Sequence, residues 1–180
     1  MDRELLEEKL SELPLYSYAY LKPEDLEFND RIRYICQHEC PMYGTTWACP
    51  PGVGSVADCK ARCLGYRSCL MLATITEVED IASMEQTLAT RGDHEEITNQ
   101  AAEMMRELGE DPYVLSTEAC NICERCAYLD GKPCRHPERM HPCVESHGIN
   151  VVPVLESCGL DFQFGANVVT WISLLLFDKK

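Results

Sequence analysis

The chain has 180 residues, 46% hydrophobic and 26% charged, which is ordinary globular usage and enough for one domain with its own core. A net charge of −14 argues against nucleic acid as a partner, because phosphate binding needs a basic surface. The longest apolar run, VVTWISLLLF at 168–177, is too short to cross a bilayer, so no membrane partner is expected, and the unusual feature left to explain is twelve cysteines.

The opening MDRELLEEKLSELPLY is acidic and amphipathic. It lacks the basic stretch, apolar core and small-residue cleavage site of a secretory signal, so a cytoplasmic protein is expected. In that compartment clustered thiols serve metal or redox chemistry rather than structural disulfides. Leu5, Leu6 and Leu10 mark one side of a short helix over 2–12. The first Cys-rich segment follows, and Pro41, Gly44, Pro50, Pro51, Gly52 and Gly54 make its middle a loop.

Ser55 followed by Asp58 resembles a helix cap with an acidic first turn, so a helix is expected over 56–64, ending at Gly65. It would put Cys59 and Cys63 on one face. The apolar run at 66–75 is a strand. Asp93 with Glu96 marks another helix start, running to Gly109 with Ile97, Ala101, Met104, Met105 and Leu108 inward. PYVLST at 112–117 is a strand that leads into the second Cys-rich segment. Helical text follows Pro137 as far as His147, then a short helix near 153–158 and a buried strand at 168–177. The order implies an α/β fold: a single domain over 1–180, with a three- to four-stranded sheet, flanking helices and the Cys loops at one end.

Segments 31–67 and 120–147 hold ten of the twelve cysteines. They carry nine Lys and Arg against six Asp and Glu, whereas the remainder carries seven against twenty-four. Cations near thiols favour the deprotonated form that binds metal.

In the second segment Cys120, Cys123, Cys126 and Cys134 follow the pattern C-x2-C-x2-C-x7-C. Structural zinc draws its ligands as two separated pairs. Three thiols at successive three-residue steps with a fourth further off is the three-plus-one arrangement of iron–sulfur proteins. Gly131 permits the turn, and Pro133 fixes the chain before Cys134, although a ferredoxin run places its proline after the last cysteine.

In the first segment Cys36, Cys40 and Cys49 follow C-x3-C-x8-C, with Cys59 or Cys63 expected as the fourth ligand of a second cluster. Trp47 reads as core packing, with shielding of a cluster as the alternative. Cys69 and Cys158 read as buried free thiols. Cys143, beside His141, reads the same way rather than as a ligand. Histidines in or beside the second segment leave mixed Cys/His zinc ligation open. No phosphate loop, dinucleotide fingerprint or Ser–His–Asp pattern is present, so no catalytic residue is assigned.

Three stretches, CQHECPMYGTTWACPPGVG, CNICERCAYLDGKPCRHPERMHPCVESHGINV and FGANVVTWISLLLF, together resemble an uncharacterised family of Cys-rich metal-binding proteins, domain of unknown function 2284. The resemblance spans residues 36–177. It implies metal binding, a cytoplasmic setting in anaerobic-type metabolism, and ligand positions at Cys36, Cys40, Cys49, Cys120, Cys123, Cys126 and Cys134. Cys59 and Cys63 match a branch of the family, and at Cys143 the resemblance implies Ser. It supplies no reaction.

The expected function is a protein with one or two [4Fe–4S] clusters that transfers electrons or serves as a redox accessory to a partner enzyme. An acidic surface suits steering towards a basic redox partner. The alternatives are a zinc-stabilised structural or interaction module, and a redox enzyme with an open cluster site or a reactive dithiol.

Overall fold

The computed structural model describes residues 1–160 and 165–180. A four-stranded antiparallel sheet forms its middle layer, in the order β1 (Ser17–Leu21), β2 (Tyr66–Glu77), β4 (Val168–Lys179), β3 (Tyr113–Leu115). β2 and β4 pair along almost their whole length, from Tyr66 opposite Lys179 to Glu77 opposite Val168. Both strands read as unbroken apolar runs because both faces of the sheet are covered.

Side-chain alternation divides that core in two. Leu70, Leu72, Leu175 and Phe177 face α1 (Arg3–Leu10) and α5 (Arg91–Glu107), meeting Leu6, Leu10, Ala101 and Met105. Cys69, Met71, Ala73, Leu174 and Leu176 face the opposite layer, which contains Leu26, Val144, Ile149 and residues of α3 (Val56–Cys63) and α6 (Val151–Ser157). The result is a helix–sheet–helix sandwich in a single α/β domain.

The expected helix at 56–64 is α3, with a full capping box: the Ser55 side chain accepts from the Asp58 amide, and the Asp58 carboxylate accepts from the Ser55 amide. The helix expected from Asp93 begins at Arg91, directly after the short α4 (Met84–Ala89). The expected helix between Pro137 and His147 shrinks to a 3₁₀ turn at Glu145–His147. Pro142 cannot donate to a helix, and the chain there runs extended beside the end of β3, with Ser116 N–H donating to Pro142 O at 2.8 Å and Val144 N–H to Ser116 O at 3.0 Å.

Besides α4 and short 3₁₀ turns, two further elements were not anticipated. β1 is a short edge strand whose residues are all half-buried, so it shows no clean alternation. The second, α2 (Asp30–Glu39), has no buried residue at all. Phe164, which opens the third family-like stretch, lies outside the described residues.

Candidate metal centre

α2 sets out the first group of thiols. Asn29 caps it by accepting from the Arg31 amide, and the helix stops at Cys40, whose backbone is extended. Arg33, Cys36 and Cys40 then fall at i, i+3 and i+7 on one stripe. The half-buried positions of the helix are Ile32, Arg33 and Cys36, whereas Tyr34 and Ile35 are exposed, Ile35 at the rim of a pocket beside the helix. Apart from Ile32, the side turned towards the body of the protein is therefore polar and thiol-bearing, and no fully buried apolar face explains why the helix lies where it does.

Beyond Cys40 a tight loop brings back Cys49, which is buried. Gly52 lets that loop close. A Cβ there would stand 2.9 Å from Thr46 O, 3.1 Å from Cys49 O and 3.2 Å from Trp47 Cα.

A pocket of about 350 Å³ lies beside α2, and Cys36, Cys40, Cys143, Glu118, Glu145 and Trp171 contribute to its wall. Burial pushes the Cys36 thiol up, with Cys40 and Glu145 adding to the shift. Burial also raises Cys49 to about 11, with Cys40, Cys36 and Glu118 contributing and Thr46 opposing. Cys143 is held well above the ordinary thiol range by burial, then by Glu145 and Cys49. Glu145 itself is raised by burial. These groups share one electrostatic neighbourhood.

Cys59 acts on Cys63 rather than on these thiols, although Arg33 opposes the burial-driven rise of both Cys36 and Cys59. Cys63 belongs to the apolar cluster that includes Cys69, Leu115, Val144 and Leu155, and burial followed by Cys59 raises it to about 12. Cys59 is also raised by burial, against the opposing effect of Arg33 and Arg62. Its Sγ donates to Val53 O at 3.5 Å and accepts from the Arg33 guanidinium at 3.6 Å. Arg33 also donates to Gly54 O at 2.9 Å, so its side chain ties α2 to the start of α3.

The second segment folds as a loop around its own thiols. β3 ends at Leu115, and Glu118, with φ of 35°, turns the chain into Cys120. Such a left-handed φ is uncommon for a non-glycine residue. A 3₁₀ turn at Ala127–Asp130 follows Cys126, and Gly131, with φ of 63°, ends it. Cys120, Cys123, Cys126 and Cys134 all line one small pocket, together with Ile122, Ala127, Met140 and Trp47. Cys134 Sγ accepts from the His136 amide at 3.4 Å, and burial pushes Cys120 up.

Trp47 covers this pocket from the other Cys segment. Its ring meets Tyr128 edge-on at 5.0 Å, and its Nε1 donates to Lys132 O at 2.9 Å. Cys134 also borders a larger cavity of about 870 Å³ whose wall includes Arg62, Arg106, Arg139 and His141.

The lining of the second pocket contains four thiols and His136 but no carboxylate, a donor set suited to zinc or to iron–sulfur clusters. Among the described residues, no three His, Cys, Asp or Glu side chains already converge so as to hold a metal ion. The match to a family model settles what kind of protein this is: residues 19–177 match predicted metal-binding protein (DUF2284). The chain belongs to this family. No curated protein and no solved structure matches the chain. Among the described residues no helix is long and apolar enough to cross a membrane.

The α2 pocket adds Cys143 and Glu118 to the residues expected from spacing. For Cys143 there was no spacing signal, because it lies more than a hundred residues from Cys36 in the chain. It reaches the α2 pocket through its pairing beside Ser116.

Proposed function

We propose that the protein is an iron–sulfur electron carrier, with a [4Fe–4S] cluster on Cys120, Cys123, Cys126 and Cys134 and a second on the thiols beside α2. The observation that carries this reading is the three-plus-one set of thiols lining one pocket, whose remaining wall is mostly apolar and aromatic, with Arg135 and His136 beside Cys134. When bound, such a cluster takes up and releases single electrons.

The protein's own residues would govern that exchange in three ways. Trp47, Ile122, Ala127 and Met140 would limit water at the second site, and the His136 amide would stabilise anionic sulfur at Cys134. Arg62, Arg106 and Arg139, in the adjoining cavity, would favour the reduced, more negative state. Trp47 lies two residues before Cys49 and lines the second pocket, so the two thiol groups are joined by one short stretch of chain.

A chain with net charge −14 is suited to a redox partner with a basic docking face, by electrostatic steering. The cytoplasm is the compartment that keeps twelve free thiols reduced.

Anaerobically purified protein tests the reading through its absorption spectrum. A broad visible band that bleaches with dithionite and returns on reoxidation is the expected result. A colourless protein carrying zinc would replace the electron carrier with a zinc-stabilised interaction module.

A further inference from the structure

We infer that Cys143 is the fourth thiol of the first centre, completing Cys36, Cys40 and Cys49, and that Cys59 and Cys63 are not ligands. This assignment rests on the metal-centre reading above. It also departs from the sequence pattern, which favours a fourth ligand on α3.

Position is the first argument. Cys36, Cys40 and Cys143 line the same pocket, and Cys49 lies within electrostatic reach of Cys36, Cys40 and Cys143. Three separate fixtures hold Cys143 there. The backbone at 142–144 is bonded on both sides to Ser116 at the end of β3. The 3₁₀ turn at Glu145–His147 packs against both α2 and α3. Gly148 then locks the turn to the cap of α2: Asn29 N–H donates to Gly148 O at 2.7 Å, and a Cβ on Gly148 would stand 3.2 Å from Asn29 O and 3.0 Å from Val56 Cγ2. The α2 thiols and Cys143 are thus fixed to one another by backbone contacts.

The second argument is what each sulfur does. Cys143 Sγ accepts the Ser146 amide at 3.2 Å, just as Cys134 Sγ accepts the His136 amide in the second site. An amide directed at sulfur favours the anionic form that a ligand must take. Cys59 Sγ accepts from the Arg33 guanidinium at 3.6 Å but also donates its S–H to Val53 O at 3.5 Å, a contact that a metal-bound thiolate could not keep. Cys63 is packed among apolar side chains of the sheet's core, where a metal would displace well-packed groups. Their i, i+4 spacing on α3 is accounted for by one helix face buried against that core.

The third argument is mechanical. α2 has no buried residue, and its inner stripe is Arg33, Cys36 and Cys40. A centre bonded to two thiols of α2 and to Cys143 would fasten the helix where apolar contact does not.

Iron, zinc and sulfide per chain, measured on anaerobically purified wild type, Cys143→Ser, and the double variant Cys59→Ser with Cys63→Ser, test the assignment. Cys143→Ser should lose one centre, lowering metal about twofold, while the double variant keeps the wild-type amount. Full metal in a folded Cys143→Ser, or loss of a centre in the double variant, overturns the assignment. Should Cys143→Ser not fold, the double variant decides alone by the same rule. The two readings fail differently: metal-free wild type ends the metal-centre reading and this assignment with it, whereas loaded wild type with a fully loaded Cys143→Ser ends the assignment only.

Discussion

Trp47 donates its indole N–H to the backbone oxygen of Lys132 at 2.9 Å, across 85 positions of sequence. One hydrogen bond thereby ties the loop that ends at Cys49 to the loop that ends at Cys134. Each of the protein's two tryptophans lines one thiol pocket: Trp47 the pocket of Cys120, Cys123, Cys126 and Cys134, and Trp171 that of Cys36, Cys40 and Cys143. Metal loading should therefore quench the fluorescence of both. Trp47→Phe should leave only the Trp171 response, and that response should disappear in Cys36→Ser. A loading response in the double variant Trp47→Phe, Cys36→Ser as large as in wild type would contradict the assignment of one tryptophan per centre.

Gly52→Ala should damage the first centre without unfolding the protein. Its added methyl meets backbone atoms of Thr46, Trp47 and Cys49 rather than a movable side chain, so the loop that presents Cys49 must shift. Metal per chain should fall about twofold with secondary structure retained, because the core on both faces of the sheet is untouched. Wild-type metal content in Gly52→Ala would mean that Cys49 is not a ligand.

Removing metal should loosen α2 ahead of the rest. Segments with few buried apolar contacts open at the lowest free energy, and α2 has no buried residue. Amide exchange in residues 31–39 should quicken by at least about tenfold on chelation, roughly 1.4 kcal/mol of local stability, while β2 and β4 stay protected. Equal protection of α2 with and without metal would contradict a centre bonded to Cys36 and Cys40.

His94 should make the fold weaker in acid. The ring is 1% exposed and its Nδ1 pairs with Thr74 Oγ1 at 2.8 Å. Burial lowers its pKa to about 4, below the 6.5 of an unhindered histidine. The unfolded chain then binds the proton first, so stability is complete above 6.5 and is lost as the pH falls towards 4. His94→Gln should reduce the stability difference between pH 7.5 and pH 5.5 by on the order of 1 kcal/mol, measured by urea unfolding. An unchanged difference would show that His94 does not titrate in this way.

The sequence announced the parts of this protein whose local chemistry decides their structure. Ser55 and Asp58 cap α3 wherever they occur together, and the apolar runs of β2 and β4 have no other use than a sheet covered on both faces. The three-plus-one spacing of Cys120, Cys123, Cys126 and Cys134 needed no tertiary information, because one short loop carries all four thiols. Legibility failed where long-range contacts decide. α2 has no apolar periodicity to betray it, since Ile32 is the one apolar residue among its half-buried positions, beside Arg33 and Cys36. The stretch after Pro137 looked helical until the end of β3 took its backbone hydrogen bonds. Cys143 joins the α2 pocket only through that same pairing with Ser116, which no spacing rule encodes.

The most direct test of the central claim is a count of iron, zinc and acid-labile sulfide in protein purified without oxygen. Two [4Fe–4S] centres predict about eight irons and a near-equal amount of sulfide per chain, with little zinc. Stoichiometric zinc without sulfide, or no metal at all, would contradict the iron–sulfur account.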